Sequence, residues 1–257
     1  MSEGTKEGRL YLLDALRGLT LLSMIAYHGM FDLVEIYRVP VSWFFQTPGY
    51  VWQQSICWMF ILLSGFCWRL GSAPWKRGLL ISGGGILITV VTHVFMPSER
   101  ILFGILSFTG AAMLALIPLS KILARIPAPA GLPGSGLLFF LTRNVNQGYF
   151  GFESLIVGRV PSGLYQGPFM TALGFPEAGF FSGDYFSFFP WIFLYLCGYF
   201  LYEILMERQA VKQFLHRRTV SVLEWIGRHS FWIYLLHQPV LMLVLECIFS
   251  WIDFSGI

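Results

Sequence analysis

Residues 78–96 read GLLISGGGILITVVTHVFM and contain no Asp, Glu, Lys or Arg. A helix rises about 1.5 Å per residue, so this stretch nearly spans the ~30 Å hydrocarbon core of a bilayer. Apolar runs of similar length recur at residues 16–34, 51–70, 101–120, 187–206 and 230–252. The pattern predicts an all-α, polytopic membrane helical bundle.

The composition supports the same fold class. Of the 257 residues, 56% are hydrophobic and 12% are charged, whereas soluble domains carry about 25% charged residues. The net charge of +3 comes from short basic caps between apolar runs rather than from a continuous basic face, which argues against nucleic-acid binding. We expect one transmembrane domain over residues 1–257, in a cell membrane.

A short apolar segment at residues 131–141 contains Pro133 and Gly134 and completes a set of about seven predicted helices. With seven helices and a cytoplasmic N-terminus, thirteen of the 17 Lys and Arg residues fall inside, and the other four fall outside: Arg38, Arg100, Arg143 and Arg159. This split obeys the positive-inside rule. Removing the short helix would move the basic residues 208–228 outside, so we keep it. The Gly-, Phe- and Pro-rich residues 142–187 are predicted to form a lid at the outer interface.

The first predicted helix carries an unusual number of ionisable residues. Each costs at least ~2.5 kcal/mol at the centre of a bilayer, so each needs a reason. Helical spacing puts the following five on one face: Asp14, Arg17, His28, Asp32 and Glu35. Arg17 and His28 lie three turns apart, about 16 Å along the axis. Either Arg17 is a membrane anchor and His28 a helix-packing hydrogen bonder, or the two form part of a site.

Three stretches resemble the transmembrane acyltransferases: RLYLLDALRGLTLLSMIAYH at residues 9–28, WQQSICWMFILLSGF at 52–66 and SFWIYLLHQPV at 230–240. Acyltransferase family 3 carries an Arg, ten residues and then a His, and Arg17 and His28 match that spacing. KRG at residues 76–78 and FGIL at 103–106 extend the resemblance. In detail the chain is most similar to bacterial members of the heparan-α-glucosaminide N-acetyltransferase catalytic-domain family.

The resemblance implies that an acyl group passes from cytoplasmic acyl-CoA to a hydroxyl or amine of a saccharide, lipid-linked or envelope acceptor. His28 is then the candidate general base, because an imidazole with an ordinary pKa near 6.5 can accept a proton at neutral pH. Arg17 is the candidate residue to orient the donor. Asp32, one turn beyond His28, is the candidate to orient the imidazole.

The remaining candidates concern substrate binding. Arg69, Lys76 and Arg77 lie on the predicted cytoplasmic side and are the candidates for the CoA phosphates; the alternative is simple positive-inside signalling. His237 and Gln238, before Pro239, either line the acceptor site or make structural hydrogen bonds. Gln54 is a further acceptor-site candidate. An acidic residue is expected near this point in the heparan branch, where this chain has Gln53 and Gln54.

Other functions are compatible with part of this pattern. A small-molecule transporter or exporter also needs ionisable residues within broken membrane helices, but the sequence contains no repeated half. A structural or assembly subunit is the third possibility. The four cysteines fall within apolar runs without metal-ligand spacing, so we predict no metal site. We expect no tightly bound cofactor, and homo-oligomer formation is compatible with the sequence.

Overall fold

The computed structural model describes residues 8–255, with side-chain surroundings up to residue 251. Lys6, one of the predicted cytoplasmic cations, lies outside this range. The chain divides into two compact units, residues 1–60 with 208–257 and residues 61–207. The division falls within one helix, α2 (Thr47–Phe66). The prediction of a single domain stays a prediction.

The first unit contains α1 (Tyr11–Glu35), the start of α2, α8 (Gln209–Leu215), α9 (Ser221–Arg228) and α10 (Ser230–Ser255). Helix α1 packs against α9 and α10. Its buried Leu21 and Met24 form a small core with Ile56 of α2. Packing of α1 against α9 and α10 thus joins segments from opposite ends of the chain in one unit.

Two glycines allow α1 and α9 to cross with their backbones in contact. A Cβ atom on Gly18 would overlap the Leu223 carbonyl oxygen, and a Cβ atom on Gly227 would overlap the Asp14 carbonyl oxygen. Small residues permit such close approach between helices in membrane proteins. This crossing fixes the N-terminal half of α1 against the segment that leads into α10.

The second unit contains the end of α2, α3 (Pro74–Phe95), α4 (Ile105–Leu123), α5 (Ala128–Thr142) and α7 (Phe188–Met206). Helices α3 and α4 pack antiparallel. Their direction is shown by two contacts, since Gly85 faces Ser107 and Gly110 faces Ser82. Helix α7 packs against α5. It also lies against the end of α2, where Gly65 faces the Tyr195 carbonyl group.

Residues 142–187 are folded, with little regular structure. Strands β1 (Tyr149–Phe152) and β2 (Leu155–Arg159) form an antiparallel hairpin, followed by the short helix α6 (Gly167–Leu173). Asn146 donates hydrogen bonds to the Gly174 carbonyl (2.8 Å) and to the Ser187 hydroxyl (2.9 Å), which ties the two ends of the segment together. The predicted position of this segment as an outer lid stays a prediction.

All seven predicted segments form helices, but the predicted number of spans is wrong. Within the described residues, four helices are long and apolar enough to cross a membrane: α3, α4, α7 and α10. Helix α5 has 15 residues and rises only about 22 Å, less than the hydrocarbon core. Helices α1 and α2 have 25 and 20 residues but carry polar side chains within their apolar runs. The fold class, an all-α membrane protein, is confirmed.

Candidate functional site

Helices α1 and α10 of the first unit bring two histidines together. The ring centroids of His28 and His237 lie 5.0 Å apart, and both side chains are partly buried. Tyr27 contacts His28 edge-on, with a centroid separation of 6.2 Å. His28 and His237 are separate candidates in the sequence, and the packing of α1 against α10 brings them together.

The carboxylate of Asp32 lies one turn beyond His28 and is 1% exposed. The side-chain amide nitrogen of Gln238 lies 2.9 Å from both of its oxygens. Within the described residues, Asp32 makes its side-chain hydrogen bonds with Gln238 and not with His28. The predicted partner of Asp32 was the imidazole, whereas the structure gives it the glutamine next to the second histidine.

The orientation of His237 is fixed by its own helix. Its Nδ1 lies 2.5 Å from the Tyr234 carbonyl oxygen, and because a carbonyl only accepts, Nδ1 must carry the proton. In the neutral ring Nε2 is therefore the acceptor. Nε2 of His237 and Oε1 of Gln238 are both buried and have no hydrogen-bond partner within the described residues. We call His28, Asp32, His237 and Gln238 the histidine cluster.

Arg17 is not part of this cluster. It lies near the start of α1, where its guanidinium is 3.7 Å from the Asp14 carboxylate, and Asp14 also receives a hydrogen bond of 2.6 Å from Arg9. Because α1 is one continuous helix, Arg17 and His28 remain about 16 Å apart along its axis. Gln54 accepts a hydrogen bond of 3.1 Å from Trp58 on α2.

The predicted donor residues fall in the second unit. Arg69 lies 2.5 Å from Glu203 and 2.6 Å from the Tyr199 hydroxyl, and its guanidinium covers the Tyr199 ring. Arg77 donates to the Trp68 carbonyl oxygen at 3.2 Å. The ammonium of Lys76 lies 5.4 Å from the centre of the Trp75 ring. The contacts of Arg69 with Tyr199 and of Lys76 with Trp75 both have cation–π geometry.

Arg69 borders a cleft of about 470 Å³. We call this the cationic cleft; its lining residues are Trp68, Arg69, Gly71, Pro74, Ser120, Lys121 and Tyr202. Lys76 and Arg77 do not line it. Lys121, one of the predicted cytoplasmic cations, is not among the donor candidates drawn from the sequence. Its only sequence signal is its position at the end of an apolar run.

A second polar contact, also missed from the sequence, lies at the start of α4. The carboxylate of Asp184 accepts a hydrogen bond of 3.2 Å from the Ile105 backbone nitrogen, inside the FGIL motif. Burial raises the pKa of Asp184 to about 6, although the hydrogen bond from Ile105 acts in the opposite direction. Ser182 donates to the Leu102 carbonyl oxygen at 2.9 Å. The motif is therefore a contact surface for residues 182–186.

The family model of the heparan-α-glucosaminide N-acetyltransferase catalytic domain matches residues 9–239. The chain belongs to this family. The match includes α1 and ends within α10 just after Gln238, so all four residues of the histidine cluster lie inside the heparan-α-glucosaminide N-acetyltransferase catalytic domain. The comparison confirms the resemblance found in the sequence. Searches among curated proteins and among solved structures find no match.

Membership of the heparan-α-glucosaminide N-acetyltransferase catalytic family supports a membrane acetyltransferase-type function. In this protein the first motif, at residues 9–28, and the last, at residues 230–240, contact each other through His28 and His237. The KRG motif lies at the start of α3, and FGIL forms the start of α4. The motifs that carry the family resemblance are thus divided between the two units.

Proposed function

We propose that this protein transfers an acetyl or other acyl group from cytoplasmic acyl-CoA to a hydroxyl or amine of a saccharide or lipid-linked envelope acceptor. The family gives the broader class, a membrane acetyltransferase. The observation that carries the proposal is the histidine cluster, in which the ring of His28 lies 5.0 Å from that of His237, and Nε2 of His237 and Oε1 of Gln238 are buried without a partner among the described residues. Such atoms are suited to a substrate group that donates hydrogen bonds.

In the proposed reaction, His28 is the general base. It takes the proton from the attacking hydroxyl or amine, and the oxygen or nitrogen forms a bond to the thioester carbonyl carbon. The carbon–sulfur bond then breaks, and the CoA sulfur leaves and takes up the proton held by His28, which restores the neutral imidazole. His237 and Gln238 accept hydrogen bonds from the molecule that receives the acyl group and hold that molecule in position for attack. Positioning of this kind lowers the entropic cost of reaction.

The cationic cleft supports the donor part of the proposal. Its Arg69 and Lys121 side chains are cations, and its Trp68 and Tyr202 side chains are aromatic. Phosphates are bound by cations, and a purine ring stacks on aromatic side chains. Arg69 is already paired with Glu203, so Lys121 contributes the more available charge. Lys76, Arg77 and Arg17 are proposed to attract the polyphosphate to the cytoplasmic surface.

The test is acyl transfer by purified protein in lipid nanodiscs. The protein is incubated with acetyl-CoA labelled in the acetyl group and with membrane extract, and label is sought on lipid, glycan and protein fractions. We expect label on a saccharide-containing or lipid-linked fraction. Transport of a solute without label transfer to any fraction would contradict the proposal and favour an exporter.

A matched control separates chemistry from the general effect of losing an imidazole. His93 is an exposed residue near the end of α3 and lies outside the histidine cluster. His93→Gln is expected to retain label transfer, whereas His28→Gln is expected to lose it. Both variants should elute as monodisperse protein.

A further inference from the structure

The contact between Asp32 and Gln238 fixes which end of the glutamine amide faces Asp32 and which end is directed away from it. One atom of the Gln238 amide lies 2.9 Å from both oxygens of Asp32. A carboxylate has only acceptor atoms, so the amide atom that faces it must be the NH₂ group. The carbonyl oxygen, Oε1, is then directed away from Asp32, and this is the buried atom without a partner among the described residues.

Without such a partner, a glutamine amide can turn over and exchange its donor and acceptor ends at little cost. The two arrangements present opposite hydrogen-bonding groups to a substrate. Since, within the described residues, Nε2 of His237 is also an unpaired acceptor, a turned Gln238 would leave the cluster with one unpaired donor and one unpaired acceptor instead of two acceptors. The site would then no longer offer two hydrogen-bond acceptors to a hydroxyl or amine that donates to it. Asp32 prevents the amide from turning over. It is buried, at 1% exposure, and therefore depends on the Gln238 NH₂ group for the hydrogen bonds of its carboxylate.

We propose that Asp32 is a positioning residue that acts through Gln238, and that it makes the acceptor site specific for hydrogen-bond donors. This inference rests on the proposed acyl transfer and assigns Asp32 a role different from orienting His28. A carboxylate that orients a base chiefly affects the rate of proton transfer. A carboxylate that fixes Gln238 chiefly affects how tightly the acceptor binds.

The experiment exchanges the donor and acceptor groups of the pair. In Asp32→Asn the two amides can adopt either arrangement, so Gln238 loses its fixed orientation. In the double variant Asp32→Asn with Gln238→Glu, the carboxylate stands at position 238 and requires the NH₂ group of the asparagine at position 32 to face it. The second oxygen of the introduced glutamate is then again an acceptor. Both changes keep side-chain size, and the double variant keeps the net charge of the pair.

Kinetics are measured with acetyl-CoA as donor and glucosamine as the acceptor probe. We expect Asp32→Asn to raise the KM for glucosamine about tenfold, as for loss of one buried hydrogen bond, with the KM for acetyl-CoA unchanged. The double variant should recover most of the loss. Glu35→Gln is the matched control, because it removes a more exposed carboxylate of the same helix.

A double variant that remains as impaired as Asp32→Asn, with kcat lowered instead of the acceptor KM raised, would overturn the inference and return Asp32 to His28. A wild-type protein that acetylates neither glucosamine nor any membrane fraction would instead refute the proposed function. The contact itself is measured without turnover, by nuclear magnetic resonance of protein labelled with ¹⁵N-glutamine. The Gln238 amide signal, identified by its absence in Gln238→Glu, should move in Asp32→Asn and not in Glu35→Gln. An unmoved signal would also overturn the inference.

Discussion

The imidazole of His28 on α1 lies 5.0 Å from the imidazole of His237 on α10, although the two residues come from opposite ends of the chain. Of these two side chains, within the part of the chain that the structure describes, only His237 has a ring nitrogen held by a backbone carbonyl, that of Tyr234. The orientation of the His237 ring is therefore held by a backbone carbonyl, whereas that of the His28 ring, among the same residues, is not. The proposed division of work, with His28 as base and His237 as acceptor-binding group, follows from this difference and from the Arg-to-His motif.

Replacing His28 by Ala is expected to lower kcat by about 10²- to 10⁴-fold, the usual contribution of a general base. The KM for acyl-CoA should change little, because the donor is held elsewhere. His237→Gln should chiefly raise the acceptor KM. Steady-state kinetics of purified variants check both expectations. A His28→Gln protein with near wild-type turnover would show that His28 is structural.

Lys121 provides the test of the cationic cleft. Lys121→Gln is expected to raise the KM for acyl-CoA roughly threefold to tenfold with kcat unchanged, because a phosphate contact contributes equally to binding before and during reaction. Arg125 lies one turn further along the chain, beyond α4, and does not line the cleft. Arg125→Gln is therefore the control. Equal changes in both variants would point to surface charge rather than to the cleft.

Reversal of Lys76 and Arg77 to Glu tests the other predicted donor residues. We expect weaker retention on an immobilised CoA analogue, because like charges repel the polyphosphate. The variant should still insert into the membrane. Unchanged retention would leave these two residues as topology signals only.

The crossing of α1 and α9 predicts a specific effect on stability. Gly227→Ala would place a methyl group against the Asp14 carbonyl oxygen, so the helices must separate, at a cost of about 1–3 kcal/mol. The thermal unfolding midpoint in detergent should fall. Gly134→Ala is the control, since no neighbouring group lies within 4 Å of the place that its methyl group would take and alanine favours a helix.

Asp184 predicts a pH dependence of stability. Its pKa is raised to about 6 in the folded protein, against ~3.9 in an unfolded chain. The folded state therefore binds more protons than the unfolded state between these values, and stability falls as the pH rises from about 4 to 6. Asp184→Asn should remove this part of the dependence, because an amide does not titrate in this range. Its side-chain carbonyl can still accept the hydrogen bond from the Ile105 backbone nitrogen. The measurement is the unfolding midpoint across this range. Identical pH profiles for the wild type and the variant would contradict the prediction.

The sequence by itself determined the positions of seven of the ten helices in the described residues, and the short helices α6, α8 and α9 were not predicted. Long apolar runs without charges need no tertiary context to be recognised, and all seven predicted segments are helical. The number of spans did not follow in the same way. A run such as residues 131–141 shows that a segment is apolar, but the helix that contains it, α5, has only 15 residues, too few to cross the hydrocarbon core.

All four residues of the histidine cluster were candidates from the sequence, because helical spacing on α1 singles out His28 and Asp32, and the HQP stretch at residues 237–239 contains His237 and Gln238. The tertiary structure decided which of these residues meet. Helical spacing on α1 predicted that Asp32 orients His28, because the sequence specifies relative positions only for residues of the same helix. The packing of α10 against α1 instead gives Asp32 the Gln238 amide, and the fold of the second unit places Lys121 and Arg69 on the same cleft. Contacts between distant segments depend on how helices pack, and one helix's periodicity does not contain that information.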